Sequence, residues 1–276
     1  MMDLAVALDL AVRLSREAGD LARSSFSARF AYASKSLSLD VVTEIDRAAE
    51  RLIVGEVQRT FPGHVIIGEE SGLHPGHEDW TWLVDPLDGT TNFTIGLPVY
   101  GVAIAITHRD NVVAAVVRDS HTGRYLAGSE ATGLLAGDGA VLAKRGEPVA
   151  PAVALQQGYG VDRDDPALDR VRSTLEARYG RVFYTWSPAI DTMLLLAGHL
   201  CATVAVDCVG PEHVAAQFLA RQAGCTVRAL GRSGVTSPDI VVTAWPEAFD
   251  AVHNHVTDAV IRQVPSARRQ DADIPA

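Results

Sequence analysis

Between His64 and Leu135 the chain is a succession of short apolar, β-branched runs parted by turn residues, and this stretch constrains the fold most. His64 to Gly68 and Trp80 to Asp85 are apolar segments that each end on acidic residues. Val99 to Thr107 and Asn111 to Arg118 are longer runs joined by His108-Arg109-Asp110, which predicts a hairpin. Gly123 to Leu135 adds two more strands of the same antiparallel meander. Helices come first. Leu4, Leu8, Ala11, Leu14, Ala18, Leu21 and Ala22 keep a helical period, with Arg13, Arg16, Glu17 and Asp20 elsewhere. A second helix starts near Thr43, where Thr43 and Asp46 form a T-x-x-D capping box, and stops at Phe61-Pro62-Gly63.

Pro148 and Pro151 mark a seam, beyond which helices and strands alternate. Helices are expected over Pro166 to Tyr179, Ala189 to His199, His213 to Ala223 and after Pro246. Strands are expected near Val182, over Ala202 to Val206 and at Ile240 to Thr243, which suggests a layered α/β half. The expected organisation is an N-terminal α+β half over 1–148, a C-terminal α/β half over 149–265 and a frayed tail over 266–276.

Hydrophobic residues make up 47% of the 276, enough to bury a substantial core. The longest apolar run, Val112 to Val117, is far short of a membrane span. Against 24 basic residues stand 34 acidic ones, a formal net charge of -10. An acidic chain repels phosphate backbones and anionic lipid, so the expected partners include no nucleic-acid polymer and no membrane. An anionic substrate then needs a local reversal of sign, and a metal ion supplies one. Cys201, Cys208 and Cys225 cannot all pair and lack C-x-x-C spacing. With no signal peptide read at the start, they predict buried thiols in a reducing, cytoplasmic setting.

The chemistry concentrates in Gly68-Glu69-Glu70-Ser71 and in Asp85-Pro86-Leu87-Asp88-Gly89-Thr90-Thr91-Asn92-Phe93. Each follows an apolar strand, which places carboxylates at a strand's C-terminal edge. Pro86 fixes one backbone angle and holds Asp85 extended, so a turn is expected to aim Asp85 and Asp88 into one space. Converging carboxylates without Lys or Arg beside them repel, and a hard divalent cation resolves the repulsion. Oxygen-only donors favour Mg²⁺ or Mn²⁺ over zinc. Gly89 to Asn92 offer backbone N–H groups and hydroxyls to phosphate oxygens at a helix start. Asp-Pro-x-Asp-Gly alone is a common structural turn; its pairing with the Glu-Glu-Ser segment is what makes it specific.

Together these segments resemble the first signature of the inositol monophosphatase family, Mg²⁺-dependent, lithium-sensitive phosphomonoesterases. Lys35 and Asp40-Val41-Val42-Thr43-Glu44-Ile45-Asp46 also match that family's lysine and D-x-V-T-x-x-D segment. The resemblance runs roughly from Leu4 to Ala259 and is strongest up to about Leu135. It implies an α/β fold of the α+β type, a layered α-β-α-β-α sandwich, and a homodimer. By position it implies Glu69 as a metal ligand that also orients the attacking water, and Asp85 as a bridge between two metals. Leu87 would offer its carbonyl and Asp88 would bind the second metal. Thr90 would share water activation with Glu69, Asp46 would hold the Thr90 hydroxyl, and the N–H groups of Gly89 and Thr90 would take phosphate oxygens. Lys35 would sit in a loop that closes over the metals. The cofactor implied is two or three Mg²⁺ ions, with Mn²⁺ as a substitute, serving in-line attack of activated water with no covalent enzyme intermediate.

The family's second signature is a Trp-Asp pair followed, eleven residues after the Asp, by Ala-Gly-Gly. Here Ala223-Gly224-Cys225 supplies its end, and counting back puts Pro211-Glu212 in place of Trp-Asp. Glu212 then becomes the carboxylate of the second metal, with about 1.5 Å of extra reach. His213 becomes a ligand if the register slips by one. The carboxylate that grips inositol hydroxyls falls on Ala205, and Tyr184-Thr185-Trp186-Ser187-Pro188 replaces the family's Arg-Ser-x-Gly segment. Tyr184, Trp186, Ser187 and Ala205 are therefore the expected substrate contacts, with the two rings either stacking on a substrate ring or packed in the core. The function expected is hydrolysis of a small polar phosphate monoester, inositol-phosphate-like, sugar phosphate or related. The alternatives are a histidinol-phosphate or nucleotide/nucleoside phosphatase of the same family, or a non-catalytic relative used for binding.

Overall fold

The computed structural model describes residues 3–26, 32–34, 41–109, 111–144, 146, 149–162, 164–230 and 239–261. Lys35, Pro148 and the tail over 266–276 lie outside them. The N-terminal half runs α1 (Leu4–Ser25), β1 (Tyr32–Ser34), β2 (Val41–Thr43), α2 (Glu44–Thr60), β3 (Val65–Gly68), β4 (Gly72–His74), β5 (Trp80–Asp88), α3 (Thr90–Ile95), β6 (Gly101–His108), β7 (Asn111–Asp119), β8 (Tyr125–Ser129) and β9 (Gly133–Gly137). The rest runs β10 (Ala152–Gln157), α4 (Pro166–Arg178), β11 (Arg181–Phe183), α5 (Pro188–Leu196), β12 (Ala202–Val206), α6 (Pro211–Gln222), β13 (Thr226–Leu230), β14 (Ile240–Ala244) and α7 (Pro246–Ile261).

Side-chain alternation sets the layers. Val102, Ile104 and Ile106 of β6 turn toward α1 and α2, while Ala103 and Ala105 turn the other way. Neighbouring β7 repeats the pattern, with Ala114 and Val116 on one face and Ala115 and Val117 on the other. A seven-stranded sheet in the order β4-β3-β5-β6-β7-β8-β9 thus buries both faces. Its second face packs on α5 and α6, which meet a five-stranded sheet ordered β11-β10-β12-β14-β13. Helices α4 and α7 cover the outer face of that sheet through Leu168, Val171, Phe249 and Val252. Five layers, α-β-α-β-α, result. The alanines on the inner face let α5 and α6 approach the first sheet closely.

The predicted hairpin and meander form as antiparallel ladders, β6 to β9 in chain order. Four strand segments escaped the periodicity reading: β1 and β2, three residues each, β4 at the edge, and β13, half exposed with Arg228 in its middle. β10 was missed as well, because Ala152 to Leu155 is an apolar run too short to distinguish from a loop beside the prolines. Among the described residues no helix is long and apolar enough to cross a membrane. The cysteines are all outside disulfides.

Thr43 caps α2 as expected. Its hydroxyl accepts from the N–H of Ile45 at 3.1 Å, and Asp46 Oδ2 returns the bond by accepting from the Thr43 N–H at 2.8 Å. Thr43→Ala is expected to lower stability by about 1–2 kcal/mol, seen as a lower urea midpoint at unchanged slope.

Candidate active site

Asp85 and Asp88 are brought to one side by a bulge, not by a turn after the strand. Strand β5 was expected to end at Asp85, yet it continues to Asp88. Asp85 pairs with Ala103 and Asp88 with Gly101, so three steps on β5 oppose two on β6. That extra residue turns a three-residue spacing, which would point side chains to opposite faces, into a same-face pair. Pro86 has no N–H to give the ladder and favours the break. Both carboxylates are buried, at 3% and 4% exposure. Burial, then the negative charges of Glu69, Asp88 and Glu212, holds the Asp85 carboxyl well above the ordinary range. Burial, then Glu212, does the same to Asp88, against the bonds from Ser187 and Ala189.

Glu69 stands on the turn after β3 and hydrogen-bonds to Asp85. That turn is held from below by a residue absent from the sequence reading. Glu50, 2% exposed on α2, accepts the N–H groups of Glu70 and Ser71, each at 2.8 Å. Asp46, one helical turn earlier, takes the Thr90 hydroxyl at 2.7 Å on its Oδ1. Its Oδ2 is taken up by the Thr43 N–H and hydroxyl. One helix thus fixes both carboxylate-bearing segments. Burial pushes Asp46 upward despite these donors. The Thr90 hydroxyl also lies 2.9 Å from the Leu87 carbonyl. With a single proton, it donates to the carboxylate and keeps its lone pairs for another donor. Gly89, at φ 84, precedes α3, and a Cβ there would stand 2.8 Å from the Val99 carbonyl, so only glycine suits the position.

The facing wall comes from the start of α6. Glu212 folds its longer side chain back over Gly210, where a Cβ would clash with both of its carboxylate oxygens. The extra methylene is absorbed in that way, and the carboxylate still acts on Asp85 and Asp88. His213, 7% exposed, has its Nε2 3.4 Å from Glu212 Oε1, and burial pushes it down to about 4, so the ring is neutral at pH 7.

Between these walls lies a cavity of about 620 Å³. Glu69, Asp85, Leu87, Asp88, Gly89, Thr90 and Glu212 line it together. Two expected substrate contacts do not belong to it. Ser187 is fully buried and spends its hydroxyl on Asp88 Oδ2 at 2.8 Å, so it positions that carboxylate. Ala205 faces a separate crevice of about 10 Å³, because it sits inside β12, two residues before the strand opens to the cavity. The carboxylate lining the cavity there is Asp207, which fixed counting from Ala223 missed: the link between β12 and α6 sets the position, not a constant spacing. Tyr184 and Trp186 do line the cavity, exposed at 41% and 40%, and are not core residues.

A second buried carboxyl stands behind Ser187. Asp191, 0% exposed, accepts from Gln156 at 2.9 Å and Thr185 at 2.7 Å, both neutral, and burial lifts it to about 6. An acid raised on folding adds stability below its unfolded value near 3.8, and that stability is lost as pH rises through about 6. Asp191→Asn is expected to flatten the change in stability between pH 5 and 7.5 by about 1.4 kcal/mol, read from urea midpoints.

The donor set suits a hard divalent cation. Carboxyl groups that hydrogen-bond, as Glu69 and Asp85 do, need a proton between them, and a cation supplies the same neutralisation. Among the described residues no three His, Cys, Asp or Glu side chains lie ready as a coordination shell, so the fit rests on donor chemistry and mutual charge.

A family model described as "Inositol monophosphatase family" matches residues 3–265. Nus factor SuhB of Vibrio cholerae is 28% identical over 260 residues, 91% of this chain and 96% of that protein. Nus factor SuhB of Escherichia coli is 43% identical over 114 residues, 41% of this chain and 43% of that protein. Among solved structures, the Thermotoga maritima IMPase matches with a TM-score of 0.78 at 24% identity, covering 93% of this chain and 98% of its own. Mycobacterium tuberculosis SuhB matches at 0.75 and 24%, covering 92% and 97%. These structures speak for the fold. The relatives' name, Nus factor, names no hydrolysis. It also conflicts with the exclusion of nucleic-acid polymers, which is withdrawn: a net charge of -10 averages the whole surface and says nothing of a local face.

Proposed function

The chain belongs to the inositol monophosphatase family, and from that premise we propose that it is a Mg²⁺-dependent phosphatase of a small polar phosphate monoester. The observation that carries the reading is the bulge in β5, which turns Asp85 and Asp88 to one side of a cavity against Glu69 and Glu212. No fold gains from packing repelling carboxylates unless something of opposite charge occupies them. Glu69, Asp85, Asp88, Glu212 and the Leu87 carbonyl would hold Mg²⁺ or Mn²⁺. Such a cation, when bound, supplies positive charge to the phosphate oxygens and the leaving alkoxide.

The chain's own residues place the water. Thr90, its proton committed to Asp46, accepts a hydrogen bond from one O–H of the water, and the Glu69 carboxylate takes the proton of the other and passes it to the leaving alkoxide. Water adds to phosphorus, the P–O bond to the alcohol breaks in line, and the alcohol leaves with a proton as phosphate is released. Gly89, whose left-handed backbone turns the chain into α3, and Thr90 offer N–H groups to phosphate oxygens. Phosphate release from inositol 1-phosphate, glycerol 2-phosphate and p-nitrophenyl phosphate, with and without Mg²⁺, tests the reading. Mg²⁺-dependent release lost in Asp88→Asn supports it, and no release from any ester sinks it.

A second reading is supported by the name of the relatives, Nus factor, and by Glu212 standing where the family has aspartate: a family member kept for binding within a larger assembly. Glu212→Ala separates the two. Under the phosphatase reading, the Mg²⁺ concentration for half-maximal release rises about tenfold or more. Under the binding reading, no release exists to lose.

A further inference from the structure

Arg118 is a buried charge that the carboxylate cavity does not use. It lies opposite Val102 in the β6–β7 ladder, so it faces α1, and it is 3% exposed. Asp85 and Asp88 pair with Ala103 and Gly101, which belong to the other side of the sheet. The Arg118 Nε is buried with no hydrogen-bond partner among the described residues, and so is the Ser120 hydroxyl. A Cβ on Gly19 of α1 would stand 3.3 Å from the first and 3.0 Å from the second, so the two orphaned donors share one neighbourhood. A buried guanidinium is costly unless acceptors of opposite charge reach it.

The carboxylates nearby do not cover this charge. Asp138 Oδ2 lies 3.5 Å from Arg118 Nη1, a long contact, and Arg16 shares the same oxygen at 3.4 Å. Asp20 is taken by Arg23 at 2.8 Å. Asp119 spends its oxygens within its own turn, on the N–H groups of His121 and Thr122 and on the Thr122 hydroxyl. Three guanidinium groups, Arg16, Arg23 and Arg118, thus share Asp20 and Asp138, and the buried one has the weakest hold. Burial pulls Arg118 below its ordinary range in spite of Asp138 and Asp20.

Gly123 leaves an opening beside it. The residue has φ 84, and a Cβ there would stand 3.4 Å from Arg118 Nη2 and 3.6 Å from Arg23 Nη1. Beyond its chain neighbours no third atom of the described residues comes within 4 Å of that point. A small cradle therefore lies between guanidinium groups from two elements, α1 and β7, and any side chain at Gly123 would fill it. We infer that this cradle is an oxyanion site, taking one ion of phosphate or sulfate type between Arg23 and Arg118. A tetrahedral oxyanion can accept from both forks at once, and its charge offsets the surplus guanidinium. The site lies across the first sheet from the carboxylates, so it stands or falls apart from the phosphatase reading.

Calorimetric titration of sodium sulfate into the chelator-treated protein, with ionic strength held constant by sodium chloride, tests the site. Without a cation the carboxylate cavity repels the same probe, so its heat does not arise there. Saturable binding is expected, weakened about tenfold or more in Arg118→Gln and in Arg23→Gln. Asp20→Asn, which frees Arg23 from its carboxylate, is expected to tighten binding by about threefold. Arg23 is half exposed on α1, so Arg23→Gln leaves the core intact and decides the matter if Arg118→Gln does not fold. Affinity unchanged in Arg23→Gln, or no saturable heat from the wild type, overturns the site.

Discussion

Asp85→Asn is expected to abolish Mg²⁺-dependent phosphate release while making the metal-free protein more stable. The two effects have one cause. Asp85 is buried against Glu69, Asp88 and Glu212, and its charge is opposed by both burial and like charges. An amide of the same shape still accepts the Leu87 N–H bond, now 3.0 Å from Oδ1, so local geometry survives. Removing the charge without the bond relieves repulsion, and the metal-free melting temperature rises by about 2–4 °C, near 1 kcal/mol. The same substitution removes the ligand expected to draw the cation. Turnover then falls by about a thousandfold or more, since the cation supplies several kcal/mol of transition-state stabilisation. A melting curve in chelator beside a phosphate-release assay checks both halves. A variant that lost stability in chelator would show the carboxylate to be structural.

Glu50→Ala is expected to destabilise the protein by about 2–4 kcal/mol, because it orphans two backbone N–H groups bonded to a buried carboxylate. Activity should fall beyond what lost folding explains. Those N–H groups belong to the turn that carries Glu69, and a loosened turn misplaces the carboxylate proposed to accept the water's proton. Glu50→Gln keeps one acceptor oxygen and is expected to recover part of the stability. Urea midpoints for the three proteins, with release measured well below the transition, separate folding from positioning. Equal activity per folded molecule in Glu50→Ala would remove the positioning role.

Much of this was legible in the sequence, for identifiable reasons. Period-two alternation located β6 and β7, and the 3.6-residue period located α1 and α2, because burial on one face leaves that signature. The acidic strand ends line one cavity, yet the bulge that aligns Asp85 with Asp88 was invisible: register with β6 is a property of two strands. Glu50 escaped because one charge inside an amphipathic helix reads as solvated surface until the turn above it is known. Ala205 was chosen by fixed counting, which fails when a connecting loop changes length, and the cavity-lining carboxylate is Asp207. Ser187 looked like a substrate contact because exposure cannot be read from a segment's composition. The charge argument failed differently, since a sum over 276 residues carries no position.

The central claim is that Glu69, Asp85, Asp88 and Glu212 form one cation site. Calorimetric titration of Mg²⁺ into the chelator-treated protein tests it most directly, with Asp85→Asn measured alongside. The account predicts saturable binding in the wild type and its loss in the variant. Identical Mg²⁺ heats for the two proteins, or none for either, would contradict it.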